Sequence, residues 1–176
     1  GALGVFIAVA WVFGAPIVHL LIDAKRAGFF DKVKQHEYEG TSMENMKALY
    51  QALQLYYESE DEMPMASGWM DASKMYVRTN DLKKGEEMKK FINPRIPPGK
   101  GVYGYAYNVT MSQVYLDEVA DPAQTPLVFE SKDTEWNAFG EPAKLEPEPE
   151  LPGGNKAVTA EGAVKALKDL LHPEKK

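Results

Sequence analysis

The chain contains no cysteine, and that absence removes several kinds of site at once. Without cysteine there can be no disulfide, no thiolate metal ligand and no cysteine nucleophile. Histidine is scarce as well, since the three histidines, His19, His36 and His172, are scattered along the sequence. This dispersal argues against a histidine-centred catalytic site or a zinc site. We therefore predict a protein that is not an enzyme and that has no metal site and no cofactor.

The chain also lacks a basic surface pattern. Asp and Glu number 26 against 20 Lys and Arg, and no basic stripe is interleaved with aromatic residues. Nucleic acid is therefore not an expected partner. The length of 176 residues allows one domain of ordinary size plus an anchor, but not two full domains.

The first 22 residues contain no Asp, Glu, Lys or Arg, and His19 is their single ionisable side chain. A helix of this length is roughly 33 Å long, close to the thickness of the hydrocarbon core of a bilayer. The apolar stretch is longer than that of an ordinary signal peptide. We expect residues 1–27 to form a helix that lies in the membrane or packs against copies of itself.

Small residues in the apolar segment would let such helices approach closely. Pro16 cannot donate a backbone hydrogen bond, so it predicts a kink, which is either a tolerated bend or a hinge used in assembly. The candidate assembly residues are Gly4, Val5, Ala8, Trp11, Gly14, Pro16 and Leu20.

The rest of the sequence predicts an α+β domain. Thr41 and Glu44 have the spacing of a capping box at the start of a helix. Apolar residues then recur every three or four positions, at Met43, Met46, Leu49, Leu53 and Tyr56. Strand candidates cover residues 102–107, 125–130 and 156–160. Residues 146–150, with the sequence EPEPE, predict a stiff, solvated polyproline segment.

Three short patterns admit both a functional and a structural interpretation. The stripe Tyr103, Tyr105 and Tyr107 could stack on a sugar or partner, but packing on the amphipathic helix is the preferred interpretation. The acidic residues 58–62 lack the ligand spacing of a calcium loop, which favours a solvated helix end. Residues 108–110 match the acceptor pattern for N-glycosylation, which also arises by chance.

Four stretches, in this order, resemble parts of type IV pilins and pseudopilins. They are ENMKAL with its following tyrosines and proline (residues 44–64), YGYAYN (103–108), DPAQTPLV (121–128) and GGNKAVTAEGAV (153–164). The resemblance implies a pilin-like α+β fold with a long N-terminal helix. Its apolar half would protrude, and its second half would pack on a small antiparallel sheet.

On this interpretation the chain has four parts. Residues 1–27 form the apolar transmembrane or filament-core helix, and residues 28–64 form a helical stem and the amphipathic helix. Residues 65–167 form a globular, β-rich head, and residues 168–176 form a polar tail.

The function implied by the resemblance is that of a structural subunit. Such a subunit would assemble through its apolar helix into a type IV pilus-like extracellular filament or a secretion pseudopilus. Its partners would be other copies of itself, the membrane before assembly, and the pilus or secretion machinery. Its location would be the cell envelope, first membrane-anchored and then in an extracellular filament.

The sequence also departs from the family pattern. Val5 stands where the family carries a glutamate, and Glu161 and Ala163 replace the aspartate and histidine of the closing motif. No role is carried over to Glu161 and Ala163, whereas the missing glutamate and the unusual start at Gly1 favour the alternative, a monomeric membrane-anchored surface domain. That domain would bind a ligand or protein partner through loops such as residues 92–100.

Overall fold

A computed structural model of the chain describes residues 38–77, 82–83 and 85–173. The chain divides into two units, Gly1–Gln35 and His36–Lys176, and all the described residues belong to the second. The α-helices of the described part are α1 (Ser42–Glu60), α2 (Trp69–Lys74), α3 (Pro142–Leu145) and α4 (Leu167–Leu171). Its strands are β1 (Tyr105–Asn108), β2 (Pro126–Glu130), β3 (Phe139–Gly140), β4 (Lys156–Thr159) and β5 (Val164–Ala166).

The five strands form one mixed sheet in the order β3-β1-β2-β4-β5. Strand β1 pairs with β2 antiparallel, placing Tyr105 opposite Glu130, and β2 pairs with β4 antiparallel. Strands β4 and β5 form an antiparallel hairpin, whereas β3 joins β1 in parallel. The sheet therefore has two short strands at its edges and its longest strand, β2, at its centre.

Both faces of the sheet are covered. On one face Leu49 and Leu53 of α1 are in the same buried cluster as Tyr105 and Tyr107 of β1. On the other face Phe129 of β2 packs with residues of α4. Side chains alternate between the two faces along a strand, so with both faces covered every residue of β1 and β2 is buried. The preferred interpretation of the tyrosine stripe is thus confirmed for Tyr105 and Tyr107.

The predicted capping box is present at the start of α1. Thr41 is extended, with φ −75° and ψ 163°, and its side-chain oxygen accepts a hydrogen bond from the backbone N–H of Glu44. The Glu44 carboxylate in turn accepts from the backbone N–H of Thr41 at 2.7 Å. These two bonds satisfy amide groups that have no partner inside the helix. Helix α1 therefore begins at Ser42.

The predicted fold class is wrong in two respects, although the α+β class is correct. The helix that packs on the sheet is not the second half of a longer helix, because the extended backbone and side-chain cap at Thr41 start a separate helix of 19 residues. The sheet is mixed rather than antiparallel, because β3 runs parallel to β1.

The predicted apolar half, residues 1–27, lies outside the described residues. Within the part of the chain that the structure describes, no helix combines the length and the apolar character that crossing a membrane requires.

Candidate functional site

The loop after residue 91 lies against the start of α1. The side-chain amide of Asn45 donates to the carbonyl of Ile92 at 2.8 Å. The backbone N–H of Asn93 donates to the carbonyl of Tyr103 at 2.7 Å, and the Asn93 side chain accepts from the N–H of Arg95 at 3.0 Å. This loop falls within residues 92–100, which the sequence proposes for ligand binding. Its first residues are therefore fixed to α1 and to the chain leading into β1.

A buried ion pair joins this loop to the sheet. A guanidinium nitrogen of Arg95 lies 2.5 Å from a carboxylate oxygen of Glu130, which is fully buried at the end of β2. The same carboxylate accepts from the Ser42 hydroxyl at 2.7 Å and from the Lys156 backbone N–H at 2.8 Å. The side-chain amide of Asn93 is a further donor, at 3.3 Å.

These donors make the burial of the Glu130 charge tolerable. An ionised carboxylate inside a protein is costly unless it is paired and hydrogen-bonded. The guanidinium of Arg95 also donates to the carbonyls of Pro152 and Gly154, at 2.5 and 3.0 Å. The pair therefore holds the start of α1, the end of β2 and the segment before β4 in fixed positions.

Two buried tyrosines complete the polar network of the core. The Tyr105 hydroxyl lies 3.0 Å from the Ser42 hydroxyl, and the Tyr107 hydroxyl donates to the carbonyl of Met111 at 2.9 Å. Burial raises the pKa of both tyrosines above the ordinary value of 10.0. Both phenols are therefore neutral hydrogen-bonding groups at physiological pH.

Two cavities lie beside this network, and Gly40 and Pro94 line both of them. The first, of about 400 Å³, is lined by Gly40, Thr41, Ser42, Met43, Pro94, Arg95 and Lys156. The second, of about 410 Å³, is lined by Tyr38, Glu39, Gly40, Asn45, Lys89, Ile92 and Pro94. Cavities of this size are in the range that small ligands or single side chains of a partner fill.

The arrangement holds segments of the fold together. Glu130 is occupied by four donors, so it has no oxygen left to act as a general base on a bound molecule. Among the residues that the structure describes, no group of three His, Cys, Asp or Glu side chains could hold a metal ion.

The residues predicted for assembly all lie outside the described residues. They are Gly4, Val5, Ala8, Trp11, Gly14, Pro16 and Leu20. Their roles stay predictions.

The N-glycosylation pattern has a structural use in the fold. Asn108 is buried, and its amide nitrogen donates to the carbonyl of Pro126 at 2.8 Å. Its carbonyl oxygen accepts from the backbone N–H and the hydroxyl of Thr110, at 3.1 and 2.9 Å. The nitrogen that a glycosyltransferase would modify is thus committed to the core.

The acidic residues 58–62 lie at the end of α1, as the preferred interpretation predicts. Glu58 and Glu60 are exposed, and Asp61 ends the helix in the left-handed conformation, with φ 63°. Its backbone N–H donates to the carbonyl of Tyr57 at 2.8 Å. The run is therefore a solvated helix end.

Sequence reasoning missed the Arg95–Glu130 pair. Glu130 closes an apolar run, which marks the end of a strand but does not identify a partner 35 residues away. The one available signal was a charged residue adjoining a run that is otherwise fully buried. No family model matches the chain, and no curated protein or solved structure matches it.

Proposed function

We propose that this chain is a structural subunit, without catalytic activity, that assembles through its apolar N-terminal segment. The assembly would be a type IV pilus-like filament or a secretion pseudopilus in the cell envelope. Its partners would be other copies of the chain, the membrane before assembly, and the pilus or secretion machinery, and nucleic acid would not be one of them.

The observation that carries this proposal is the contrast between two parts of the chain. Residues 1–22 contain no Asp, Glu, Lys or Arg. The described residues, by comparison, form a core from their own side chains, on both faces of one sheet. An uncharged segment of that length is stabilised when lipid or similar segments surround it. The ordered resemblance to pilins and pseudopilins supports assembly as the purpose of the segment.

The proposal does not require one continuous helix from the apolar segment to the sheet. The cap at Thr41 separates α1 from the residues before it. What the proposal requires is that the apolar segments associate and that each carries a folded head.

Electron microscopy of the native surface fraction, labelled with an antibody against the head, tests the proposal. We expect label along helical filaments, and we expect that removing residues 1–27 abolishes the filaments while leaving a folded head. Label dispersed over membrane, with no filaments, would overturn the proposal.

A Pro16→Ala variant tests the use of the apolar segment more finely. If the segment must bend at Pro16 to fit the assembly, the yield or stiffness of the filaments changes. Unchanged filaments would leave the proline without a role in assembly.

A second candidate function is that of a membrane-anchored binding domain. The two cavities beside Gly40 and Pro94 favour it, because they include residues of the 92–100 loop. On this alternative, deletion of residues 1–27 would preserve binding of the ligand, whereas the filament proposal predicts that the same deletion removes the function altogether.

A further inference from the structure

The cavity that includes Lys156, here called the Lys156 cavity, has a mostly apolar surface and is bordered by the Lys156 side chain. Met43 is 44% exposed, and Pro94 adds a second apolar side chain. The charge of Arg95 is balanced by Glu130. The ammonium of Lys156 has no hydrogen-bond or ion-pair partner among the described residues. The cavity is therefore suited to an apolar group that carries a carboxylate.

The segment Glu148, Pro149 and Glu150, here called the acidic segment, has that chemistry. All three residues are exposed, and neither glutamate has an ion-pair partner within the described part of the chain. Proline restricts the backbone, so little conformational entropy is lost when such a segment binds.

The acidic segment is fixed at both ends. The side-chain amide of Asn155 donates to the carbonyl of Pro147 at 3.0 Å, and its oxygen accepts from the backbone N–H of Leu151 at 3.0 Å. One asparagine thus closes the loop from both sides. The backbone on either side of the segment is therefore fixed, while its three residues are exposed to solvent.

The cavity and the acidic segment are close neighbours on the surface. Arg95, which lines the cavity, donates to the carbonyls of Pro152 and Gly154, just after the acidic segment. A two-fold contact between identical copies is self-complementary when each copy offers both members of a pair side by side. This surface has that arrangement.

We propose that the heads of two copies associate around a two-fold axis. The acidic segment of each copy occupies the Lys156 cavity of the other, with proline on the apolar surface and a glutamate carboxylate beside the Lys156 ammonium. The contact does not depend on whether the apolar segments build a filament. Where both copies are anchored in one membrane, as the proposed function implies, their effective concentration is raised and a weak contact suffices.

Site-directed cross-linking of the full chain in detergent micelles tests this contact. The absence of cysteine means that each introduced thiol is unique. An affinity-tagged Lys156→Cys chain is mixed with an untagged Glu148→Cys chain, and a short bismaleimide is added. We expect tagged–untagged heterodimers.

The matched control replaces Glu148→Cys by Glu58→Cys, an exposed glutamate near the other end of α1. At 1.5 Å per residue, the 16 steps from Ser42 to Glu58 span roughly 24 Å, beyond the reach of the reagent. We expect this control to give little heterodimer. Equal yields from the two mixtures would overturn the proposal, because they would mean collision within the micelle.

Charge exchange provides a second readout that does not use thiols. Lys156→Glu should weaken association of the heads roughly threefold to tenfold, as expected for a partly exposed charge pair. Adding Glu148→Lys and Glu150→Lys to the same chain should restore it. Analytical ultracentrifugation in micelles measures both effects.

Two other results would each overturn the proposal. One is the absence of any heterodimer from chains whose circular dichroism shows them folded. The other is association that is unaffected by charge reversal.

Discussion

At the scale of single residues, the pairing of Arg95 with Glu130 joins the loop after residue 91 to the end of β2. The carboxylate is fully buried, whereas the guanidinium side chain is 18% exposed. Removing one member of a buried ion pair lowers the stability of the fold by more than the intact pair contributes, because the remaining charge keeps its desolvation penalty. The consequence should be measurable as a large loss of stability.

We predict that Arg95→Met lowers the free energy of unfolding by about 3 kcal/mol, since it leaves Glu130 charged and unpaired in the core. Urea denaturation of the full chain in detergent measures this. Lys144→Met is the matched control, because Lys144 forms an exposed pair with Glu141 at 2.6 Å. That substitution should change stability by less than about 1 kcal/mol.

The double variant Arg95→Met with Glu130→Met should recover part of the loss, because no buried charge remains. Equal effects of Arg95→Met and Lys144→Met would contradict the role assigned to the buried pair.

A second residue-scale prediction concerns Gly162, in the turn between β4 and β5. Its φ of +94° belongs to the left-handed region, and a Cβ there would lie 2.6 Å from the ring of Tyr50. We predict that Gly162→Ala destabilises the fold by more than about 1 kcal/mol, since backbone strain and a steric clash add. The shift in the thermal midpoint measures it.

Gly153→Ala is the control for that substitution. Gly153 has a similar φ of +82°, but no atom lies within 4 Å of the position that its Cβ would take. The loss of stability in Gly153→Ala should therefore reflect the backbone strain alone. Equal losses from the two substitutions would mean that the Tyr50 ring moves aside freely.

At the scale of elements, the cap of α1 defines where the helix begins. The Glu44 carboxylate accepts hydrogen bonds from the backbone N–H and the hydroxyl of Thr41. These bonds, the backbone one most of all, lower the pKa of Glu44 below its ordinary value of 4.5. A carboxyl group whose pKa is lower in the folded state stabilises the fold above its unfolded pKa. That contribution is lost as the pH falls through the folded pKa.

We therefore predict that the Glu44→Gln variant loses less stability than the wild type when the pH falls below about 4.5, because it has no carboxylate to protonate at this position. Chemical denaturation at a series of pH values from neutral downward measures it. Glu58→Gln, in the last turn of the same helix and outside the capping box, is the matched control. Identical profiles for Glu44→Gln and the wild type would contradict the role of the capping box in acid stability.

Local sequence predicts those elements that depend on residues close together in the chain. The capping box of α1 and the strand positions 126–130 and 156–159 match expectations, since each depends on residues only a few positions apart. The parallel pairing of β3 with β1 was missed. It depends on the loop after β2, where the N–H of Tyr107 donates to the carbonyl of Ala138 at 2.9 Å.

At the scale of the whole molecule, the proposed function depends on the apolar segment. An ionised side chain in an apolar assembly or in lipid is costly, by about 2.5–3.5 kcal/mol at the centre of a membrane span. Ala8 is one of the residues predicted to lie in the assembly interface. A charge at this position should therefore oppose assembly without entering the core of the head.

We predict that Ala8→Glu abolishes filaments and leaves a head that is still recognised by a conformation-specific antibody. Ala143→Glu makes the same substitution at an exposed position of α3 and should assemble normally. Electron microscopy counts filaments for both variants. Normal filaments from Ala8→Glu would contradict the use of this segment in assembly.

The sequence by itself determined the local features of this protein: the uncharged first 22 residues, the start of α1 and the positions of the central strands. These follow from charge, spacing and capping among residues that are near each other in the chain. Only the tertiary structure decided that Arg95 pairs with Glu130, that the helix on the sheet is a separate element, and that two cavities flank Gly40. The physical reason is that charge partners and cavity walls come from segments far apart in sequence, and packing chooses among many chemically equivalent candidates.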